Sequence, residues 1–417
     1  MREPSVWRDP AYRRLWGSVG VSLLGSEITV IALPLTAVAV LHASAGQVAL
    51  LAAAGTAPFL LLGLPAGAWV DRWPRRRLMV VCDWLRGALL ATVPLAWALG
   101  VLTLPHLFAV TFAAGVFGVF FDVAALSVLP ALVPRDRLAS ANGGLEASRA
   151  VSQTSGPAVG GVLVQVATAP LALLADAVSF VVSAVLLRGL PPLVTPGSAG
   201  PRPPLARQIR EGLQFCLRSP LIRPVMLGGA WLNFWGHALM AVFIPYAVRA
   251  LHLSPAVIGL VLAASNLGYL LGSVLASRLN ARIGVGPAIV VGVVLHGGLL
   301  GVALAPAGAP LPWLVVGFTV QALGVALWNV NAVSLRQAST PEPLLARMNA
   351  TSRFLLWGAM PLGAAFGGLL VTLGGLHTAV LVAAIGVPLV ALPLLRSALI
   401  GVRTMPADAP VPVRERG

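Results

Sequence analysis

The chain has 417 residues, of which 58% are hydrophobic and only 10% are charged, and its mean hydropathy is +0.90. A soluble domain carries about 25% charged residues, so this composition excludes an ordinary soluble globular protein. The net charge is +15 and every basic residue is an arginine, but these arginines lie between long apolar runs, which argues against nucleic-acid binding.

Apolar runs separated by arginine, glycine and proline predict twelve membrane-spanning helices. The stretch between Arg282 and Arg336 holds no charged residue, which is enough for two spans of about 20 residues each. Backbone groups in lipid must bond within their own segment, so each span is predicted to be helical. In chain order the predicted spans are 15–41, 46–70, 78–101, 105–132, 138–168, 170–188, 222–250, 255–277, 285–306, 311–335, 347–373 and 376–396.

The arginines also predict the orientation in the membrane. Connections after even-numbered spans are rich in arginine, whereas those after odd-numbered spans are nearly neutral, with Arg249 as the exception. Short cytoplasmic loops are enriched in basic residues. Both termini are therefore predicted to be cytoplasmic, in a multi-pass protein of the inner or plasma membrane.

Four regions follow from the span map. Residues 1–188 are predicted to form an N-terminal six-helix bundle, and residues 222–396 a C-terminal one. Between them, 189–221 reads as a cytoplasmic linker with a short amphipathic piece. The polar, proline-rich segment 397–417 is predicted to be a disordered cytoplasmic tail.

The two halves share an internal repeat, which is typical of transporters. A shift of about 205 residues superimposes Gly63 and Gly67 on Gly268 and Gly272. A shift of 204 superimposes three further pairs: Ser148 with Ser352, Arg149 with Arg353, and Pro157 with Pro361.

The segment Gly67-Ala-Trp-Val-Asp71-Arg72-Trp-Pro-Arg75-Arg76-Arg77 resembles the loop signature of the major facilitator superfamily. Nearly the whole chain is similar to that superfamily's multidrug and siderophore exporter branch, of the drug:proton antiporter type. Matching pieces are Phe121-Asp122, Leu129-Pro130 to Asn142, Gly156-Pro157 to Gly161, and Arg347-Met-Asn349. The resemblance implies two pseudo-symmetric six-helix bundles that work by alternating access.

The resemblance also implies a gating loop after the second span. Its residues are Gly67, Asp71, Arg72, Arg75, Arg76 and Arg77. Asp71 would dock near the start of the eleventh span when the cytoplasmic side closes, and Gly67 would allow close helix contact. The alternative is that the arginines only determine topology.

Two acids are predicted to lie deep in the membrane. Glu27 comes 13 residues after Arg14, and Asp122 comes 13 residues before Arg135, which is about 20 Å along a helix. Such residues are functional candidates because burying a charge in lipid is costly. Glu27 and Asp122 are therefore proton-coupling candidates, unless a neighbouring arginine such as Arg149 neutralises them permanently.

The other embedded charges are predicted to pair with one another rather than to touch a substrate. Asp83 and Arg86 are expected to engage the loop arginines. The full predicted charge network comprises Asp83, Arg86, Glu146, Arg149, Asp176 and Arg353.

The second half offers neutral polar and aromatic side chains instead of acids. Its substrate-cavity candidates are Asn233, His237, Asn266, Tyr269, Trp328, Asn329 and Trp357, and the alternative for each is hydrogen bonding between helices. On the fifth span, Gly156, Pro157, Gly160 and Gly161 form a helix-bending motif, with tight packing as the equal alternative.

These features predict a secondary active transporter that exports amphipathic small molecules, such as drugs or secondary metabolites, in exchange for protons. The alternatives of the same fold are a siderophore exporter and a lysophospholipid transporter, and a membrane-bound enzyme or sensor is a third class. We expect a monomer in the lipid bilayer, with no catalytic residues, metal site, cofactor or nucleic-acid partner.

Overall fold

A computed structural model describes residues 6–70, 72–134, 137–191 and 205–405, and nearly all of them are helical. The helices are α1 (Pro10–Leu35), α2 (Ala45–Leu62), α3 (Pro65–Val70), α4 (Arg75–Ala98), α5 (Leu104–Leu132), α6 (Leu138–Val166), α7 (Ala169–Arg188), α8 (Leu205–Arg218), α9 (Ile222–Arg249), α10 (Pro255–Ile283), α11 (Val285–Leu295), α12 (Leu299–Ala303), α13 (Pro310–Ala338), α14 (Glu342–Gly386) and α15 (Ala391–Leu395).

Twelve spans are present among the described residues. Ten segments are long and apolar enough to cross a membrane. Helix α6 is less apolar because it carries charged and hydroxyl side chains, and α14 contains two spans that meet at Gly375. Gly375 has φ 81°, a conformation that glycine adopts without the penalty a Cβ would impose. The predicted all-α bundle with twelve spans is confirmed.

The helix ends follow ordinary capping chemistry. Ser44 accepts a hydrogen bond from the Gln47 backbone N–H, and the Gln47 side chain accepts one from the Ser44 N–H, which forms a capping box at the start of α2. Asp9 caps α1 by accepting from the Ala11 N–H at 2.8 Å. The chain leaves the helical path at Thr168, between α6 and α7, where the sequence predicts that two spans divide.

The two halves pack on each other through a pair of equivalent contacts. Helix α6 of the first half packs against α1 and α10, and α14 of the second half packs against α9 and α2. Helix α6 of the first half is equivalent to α14 of the second, and α2 is equivalent to α10. The α6–α10 and α14–α2 contacts between the halves are therefore equivalent to each other. The arrangement is that of two pseudo-symmetric bundles.

Glycines make these close approaches possible. A methyl group on Gly156 would overlap Glu27 of α1, and one on Gly363 would overlap Phe234 of α9. Gly363 comes 207 residues after Gly156, about one helical turn from the register of the sequence repeat. A side chain on Gly161 would likewise overlap the Pro255 backbone of α10. The glycines of the predicted helix-bending motif therefore lie at tight packing contacts.

The close helix contact expected at Gly67 when the cytoplasmic side closes stays a prediction, because the cavity is open at that end in this conformation. A Cβ on Gly67 would meet no heavy atom within 4 Å. A close contact between α2 and α5 occurs at Gly55, where a Cβ on Gly115 would overlap the Gly55 carbonyl oxygen. The glycine contact thus lies nearer the middle of α2.

Helix α8, in the predicted linker, packs against the second half. Cys216, at 0% exposure, packs with Met226 of α9 and Met348 of α14. Glu211 joins the same surface, accepting hydrogen bonds from Arg207 at 2.9 Å and from Arg347 at 2.5 Å. The linker helix is thereby attached to the start of α14.

Part of the predicted disordered tail is ordered. The backbone N–H of Gly286 donates to the Val402 carbonyl at 2.8 Å, and Arg403 donates to the Ile283 carbonyl at 2.8 Å. The expectation of disorder from residue 397 is therefore wrong for residues 397–405, which pack against the junction of α10 and α11. Residues 406–417 lie outside the described part of the chain.

We predict that Glu211→Gln loosens α8. Its hydrogen bond to Arg207, assisted by the charge of Arg347, holds the pKa of Glu211 below its ordinary range. The stabilising effect is therefore complete above the ordinary glutamate pKa of about 4.3 and is lost as the pH falls through the lower, folded value. At neutral pH, tryptic cleavage at Arg218, in the last turn of α8 and away from the substituted residue, should become severalfold faster. Glu342→Gln, an exposed glutamate at the start of α14, is the control, and equal cleavage rates would contradict the role of Glu211.

Candidate transport site

A cavity of about 560 Å³ lies among α1, α4, α5 and α6 of the first half. Helix α14 of the second half contributes Arg353 and Trp357 to its wall. The polar side chains that line it are Ser22, Ser26, Arg86, Asp122, Asn142, Glu146, Arg149 and Arg353. The cavity extends to Pro130 and Leu138, at the facing ends of α5 and α6. It combines charged groups with apolar walls, as binding sites for organic molecules do.

Asp122 places an acidic side chain in the wall of this cavity. It lies on α5 and is exposed to the cavity space. Within the described residues its carboxylate makes no hydrogen bond and no ion pair. Three arginines, Arg86, Arg149 and Arg353, are near enough to act on it electrostatically. Asp122 is thus accessible to a ligand or a proton.

Each of those arginines has another neighbour. Arg86 lies 3.8 Å from the Asp83 carboxylate and 3.9 Å from the centre of the Phe180 ring. Arg353 lies 5.4 Å from the centre of the Trp357 ring, a distance that permits a cation–π interaction. The positive charges near Asp122 are therefore partly held by other groups.

Glu27, the second proton-coupling candidate, lies on α1 next to Ser26, which lines the cavity. Its side chain packs against Gly156 of α6 and is half-buried. In the described part of the chain it makes no ion pair within 4.0 Å, although the charge of Arg149 acts on it. Glu27 is not among the residues that line the cavity. The two candidates therefore occupy different environments.

The structure does not join the predicted charge network into one set of ion pairs. Arg149 pairs with Glu146 of its own helix at 3.6 Å. Asp83 contacts Arg86 and the Ser183 hydroxyl, and not the loop arginines as predicted. The reason is that Asp83 lies two turns inside α4, facing α7.

The remaining members of that network are also separate. Asp176 is bonded only to hydroxyl groups among the described residues. Arg353 stacks on Trp357 beside the cavity. The predicted charge network is therefore a set of separate local contacts in the first half and at its interface with the second half.

A smaller recess of about 240 Å³ lies inside the second half. Four of the predicted substrate-cavity residues line it: Asn233, His237, Trp328 and Asn329. His237 is held by a contact of 3.0 Å between its Nδ1 and the Asn233 carbonyl. Its wall carries amides, imidazoles and an indole but no charged side chain. The two halves thus present chemically different surfaces.

Three predicted cavity residues lie elsewhere. Asn266 donates to the Gln153 carbonyl of α6 at 2.6 Å, so it joins the two halves. Tyr269 lines neither cavity. Trp357 lines the cavity of the first half and packs edge-on against Phe59 of α2, with ring centres 5.1 Å apart.

Several lining residues are not among those that the sequence predicts. Ser22 and Ser26 of α1 and Asn142 of α6 line the larger cavity, and His296 lines the recess. The signal for Ser22 and Ser26 is their spacing of four residues, which places both on one face of a helix.

The halves touch each other at the end of the bundle away from Pro130 and Leu138. Arg249 donates to the Ala43 carbonyl at 2.6 Å, and the Gln165 side chain accepts from the Ala256 N–H at 3.2 Å. The packing of Gly161 on Pro255 lies at the same end. One end of the bundle is therefore closed between the halves, while the cavity reaches the other.

The predicted gating loop is partly described. Asp71 lies outside the described residues, so its docking stays a prediction. Arg72 and Arg77 are exposed, and Arg75 is half-buried. Arg76 donates to the Leu190 carbonyl at 2.5 Å, which links the start of α4 to the end of α7.

Twelve spans in two equivalent bundles, with a polar cavity reaching one end, define a membrane transporter of the major facilitator type. A bacterial homologue of the iron transporter ferroportin in an inward-facing state has a similar fold, with a TM-score of 0.72 and 20% sequence identity, covering 94% of this chain and 99% of that one. The chain belongs to the transmembrane secretion effector family, whose model matches residues 4–413.

Two relatives match along almost their whole length. The multidrug efflux pump Tap of Mycobacterium tuberculosis (strain ATCC 25618 / H37Rv) is 29% identical, covering 95% of this chain and 93% of that protein. The enterobactin exporter EntS of Citrobacter koseri is 29% identical, covering 97% of this chain and 95% of that protein. The family and these relatives confirm the predicted exporter branch of the superfamily.

Proposed function

We propose that the chain exports amphipathic small molecules across the cell membrane in exchange for protons, by alternating access. The observation that carries the proposal is the Asp122 carboxylate, which faces the cavity without an ion pair among the described residues. A carboxyl group placed inside a transporter in this way is suited to bind a proton or a cationic group in turn. The names of the two relatives support export.

The substrate class follows from the unequal halves. The first half offers Asp122 and several arginines, whereas the recess of the second half offers neutral groups such as Asn233, Asn329 and Trp328. A molecule with one charged or strongly polar end and one neutral, partly aromatic end would match both surfaces. Drugs and secondary metabolites of this kind are the proposed cargo.

The proposed orientation places both termini in the cytoplasm of a cell whose inner or plasma membrane holds the protein. It rests on the arginine-rich connections at one end of the bundle. With this orientation the cavity faces the cytoplasm, and the contacts at Arg249 and Gln165 close the outer side. Residues 1–188 and 222–396 would then move as two bodies joined by the linker 189–221. We propose that a monomer suffices, since the cavity is complete within one chain.

The test is accumulation of a panel of fluorescent amphipathic compounds in cells that produce the protein, with and without a protonophore. We expect lower accumulation in producing cells and loss of the difference when the proton gradient collapses. Unchanged accumulation across the panel would contradict export. Export that persists after the proton gradient collapses would contradict proton coupling but not export.

Siderophore export is a second candidate, favoured by the similarity to the enterobactin exporter. Loss of the gene in an organism that secretes a siderophore would then reduce the extracellular siderophore without changing drug sensitivity. The opposite pattern would favour drug export.

A further inference from the structure

The recess of the second half contains three side chains whose hydrogen-bond donors are already used. On α9, the Asn233 amide nitrogen donates to the Gly229 carbonyl at 2.9 Å, and Nδ1 of His237 lies 3.0 Å from the Asn233 carbonyl. His296 directly follows α11, and its Nδ1 lies 2.7 Å from the Gly292 carbonyl. All three side chains line the recess. Each bonds to the carbonyl four residues before it, so the local helical backbone sets its orientation.

These backbone carbonyls determine which nitrogen of each imidazole carries a hydrogen. A carbonyl oxygen only accepts, so the Nδ1 atoms of His237 and His296 must be the donors. A neutral imidazole has one N–H, and Nε2 is then an acceptor. Among the described residues that line the recess there is no acid to balance a second proton on either ring. Both imidazoles are therefore assigned as neutral rings with a bare Nε2.

The two Nε2 atoms and the Asn233 amide oxygen are free to accept hydrogen bonds. Neither Nε2 has a hydrogen-bond partner among the described residues, and neither is completely buried. The Asn233 side chain uses its nitrogen for the Gly229 carbonyl, which leaves its Oδ1 as an acceptor. The recess therefore presents three neutral acceptors whose positions are fixed by the backbone.

Donors of fixed character in the recess are fewer. The indole N–H of Trp328 has no hydrogen-bond partner in the described part of the chain. The amides of Gln321 and Asn329 also line the recess and can rotate either to donate or to accept. Three fixed acceptors and one fixed donor match hydroxyl groups, because a hydroxyl donates once and also accepts. An ether or ketone oxygen only accepts, so it would leave the imidazole nitrogens unpaired and bind less tightly.

The recess has room for one end of a molecule rather than for the whole. Its volume is about 240 Å³, below the ~300–1,000 Å³ of pockets that enclose a drug-sized ligand. Its wall includes the Trp328 ring, a surface that suits another aromatic ring. We propose that the recess binds the hydroxyl-bearing aromatic end of the cargo, with His237, His296 and Asn233 accepting its hydrogen bonds. This assignment rests on the proposed function, in which the charged end of the same molecule faces Asp122.

¹⁵N NMR of the purified protein in lipid at neutral pH tests the imidazole assignment without any ligand. Labelling only Nδ1 of histidine in one sample and only Nε2 in another shows which nitrogen carries the hydrogen. The variants His237→Phe and His296→Phe identify the two signals by removing them. We expect a protonated Nδ1 and a bare Nε2 in both rings. A bare Nδ1, or hydrogen on both nitrogens, in either ring would overturn the proposal.

Two cationic probes test the binding preference, namely the para-hydroxyphenyl and para-methoxyphenyl derivatives of butylammonium. They carry the same charge and differ in whether the aromatic end can donate a hydrogen bond. Calorimetric titration of the purified protein should show the hydroxyl probe binding about two- to tenfold more tightly. The preference should disappear in His237→Phe/His296→Phe and persist in His377→Phe, whose exposed imidazole lies outside the recess. Equal binding of the two probes by the parent, failure of both to bind, or an undiminished preference in the double variant would overturn the proposal.

These measurements are separate from the transport assay. Neither needs a proton gradient or movement of substrate across a membrane, so absence of export from cells would contradict the proposed function but not the binding preference. Export without a preference for hydroxyl groups would contradict this inference and leave the proposed function intact.

Discussion

Asp122→Asn is expected to abolish active, proton-driven export while preserving substrate binding. The amide has nearly the same shape as the carboxyl group, so the cavity keeps its size, but it cannot release a proton in the relevant pH range. Transport against a gradient should fall by an order of magnitude or more, and the residual exchange of substrate should no longer depend on pH. Export from inverted vesicles, driven by an imposed pH gradient, measures the first effect, and counterflow of labelled substrate measures the second.

Two variants control for the Asp122 result. Asp9→Asn removes an acid outside the cavity and keeps a good helix cap, so it should export like the parent. Glu27→Gln tests the other proton-coupling candidate under the same conditions. Normal pH-driven export by Asp122→Asn would contradict a role for Asp122 in proton coupling. That result would leave the proposed substrate class unchanged, because the variant would still transport the drugs.

Gly259→Leu is expected to shift the protein away from the conformation described here. A Cβ on Gly259 of α10 would overlap the Pro157 carbonyl and approach Gly161 of α6 within 3.1 Å. Overpacking of this kind costs about 1–3 kcal/mol, which corresponds to a shift of roughly 5- to 150-fold in a two-state equilibrium. Because this contact closes one end of the bundle, the state open at that end should gain population and transport should slow.

Spin labels at two exposed positions of that end can measure the shift. Val101 follows α4 and Leu304 follows α12, and they are 61% and 57% exposed. Cysteines there, in a variant without the two native cysteines, should report a longer distance when Gly259→Leu is added. Gly118→Leu is the matched control because a Cβ at Gly118 meets nothing within 4 Å. An unchanged distance distribution would contradict the role of the α6–α10 contact.

The sequence was sufficient to predict the fold because each membrane span requires a run of about 20 mostly apolar residues, which is easily recognised. The uncharged stretch between Arg282 and Arg336 predicted two spans. Helices α11 and α12 together form the first of them, and α13 forms the second. The alternation of arginines fixed the number of spans independently. Boundaries such as Thr168 agreed because helices end where the backbone pattern is interrupted.

The site was predicted residue by residue but not as an arrangement. Asp122, Arg149 and Arg353 were each recognised as charges within a span, yet their partners depend on how each helix is rotated. A helix that is apolar on all sides gives no sequence signal for that rotation. For the same reason the sequence predicts Asn266 in a cavity, whereas it donates a hydrogen bond to the Gln153 carbonyl.

The equivalent glycine contacts have a consequence for how such a protein can diversify. Gly156 lies against the side chain of Glu27, whereas Gly363 lies against the backbone of Phe234, so both halves keep a glycine at the contact although the residue on the facing helix differs. These two contact surfaces therefore do not require one particular side chain on the facing helix. Side chains of the second-half recess, such as His237 and Asn329, could be exchanged to accept new cargo while the moving parts and the proposed proton site stay as they are.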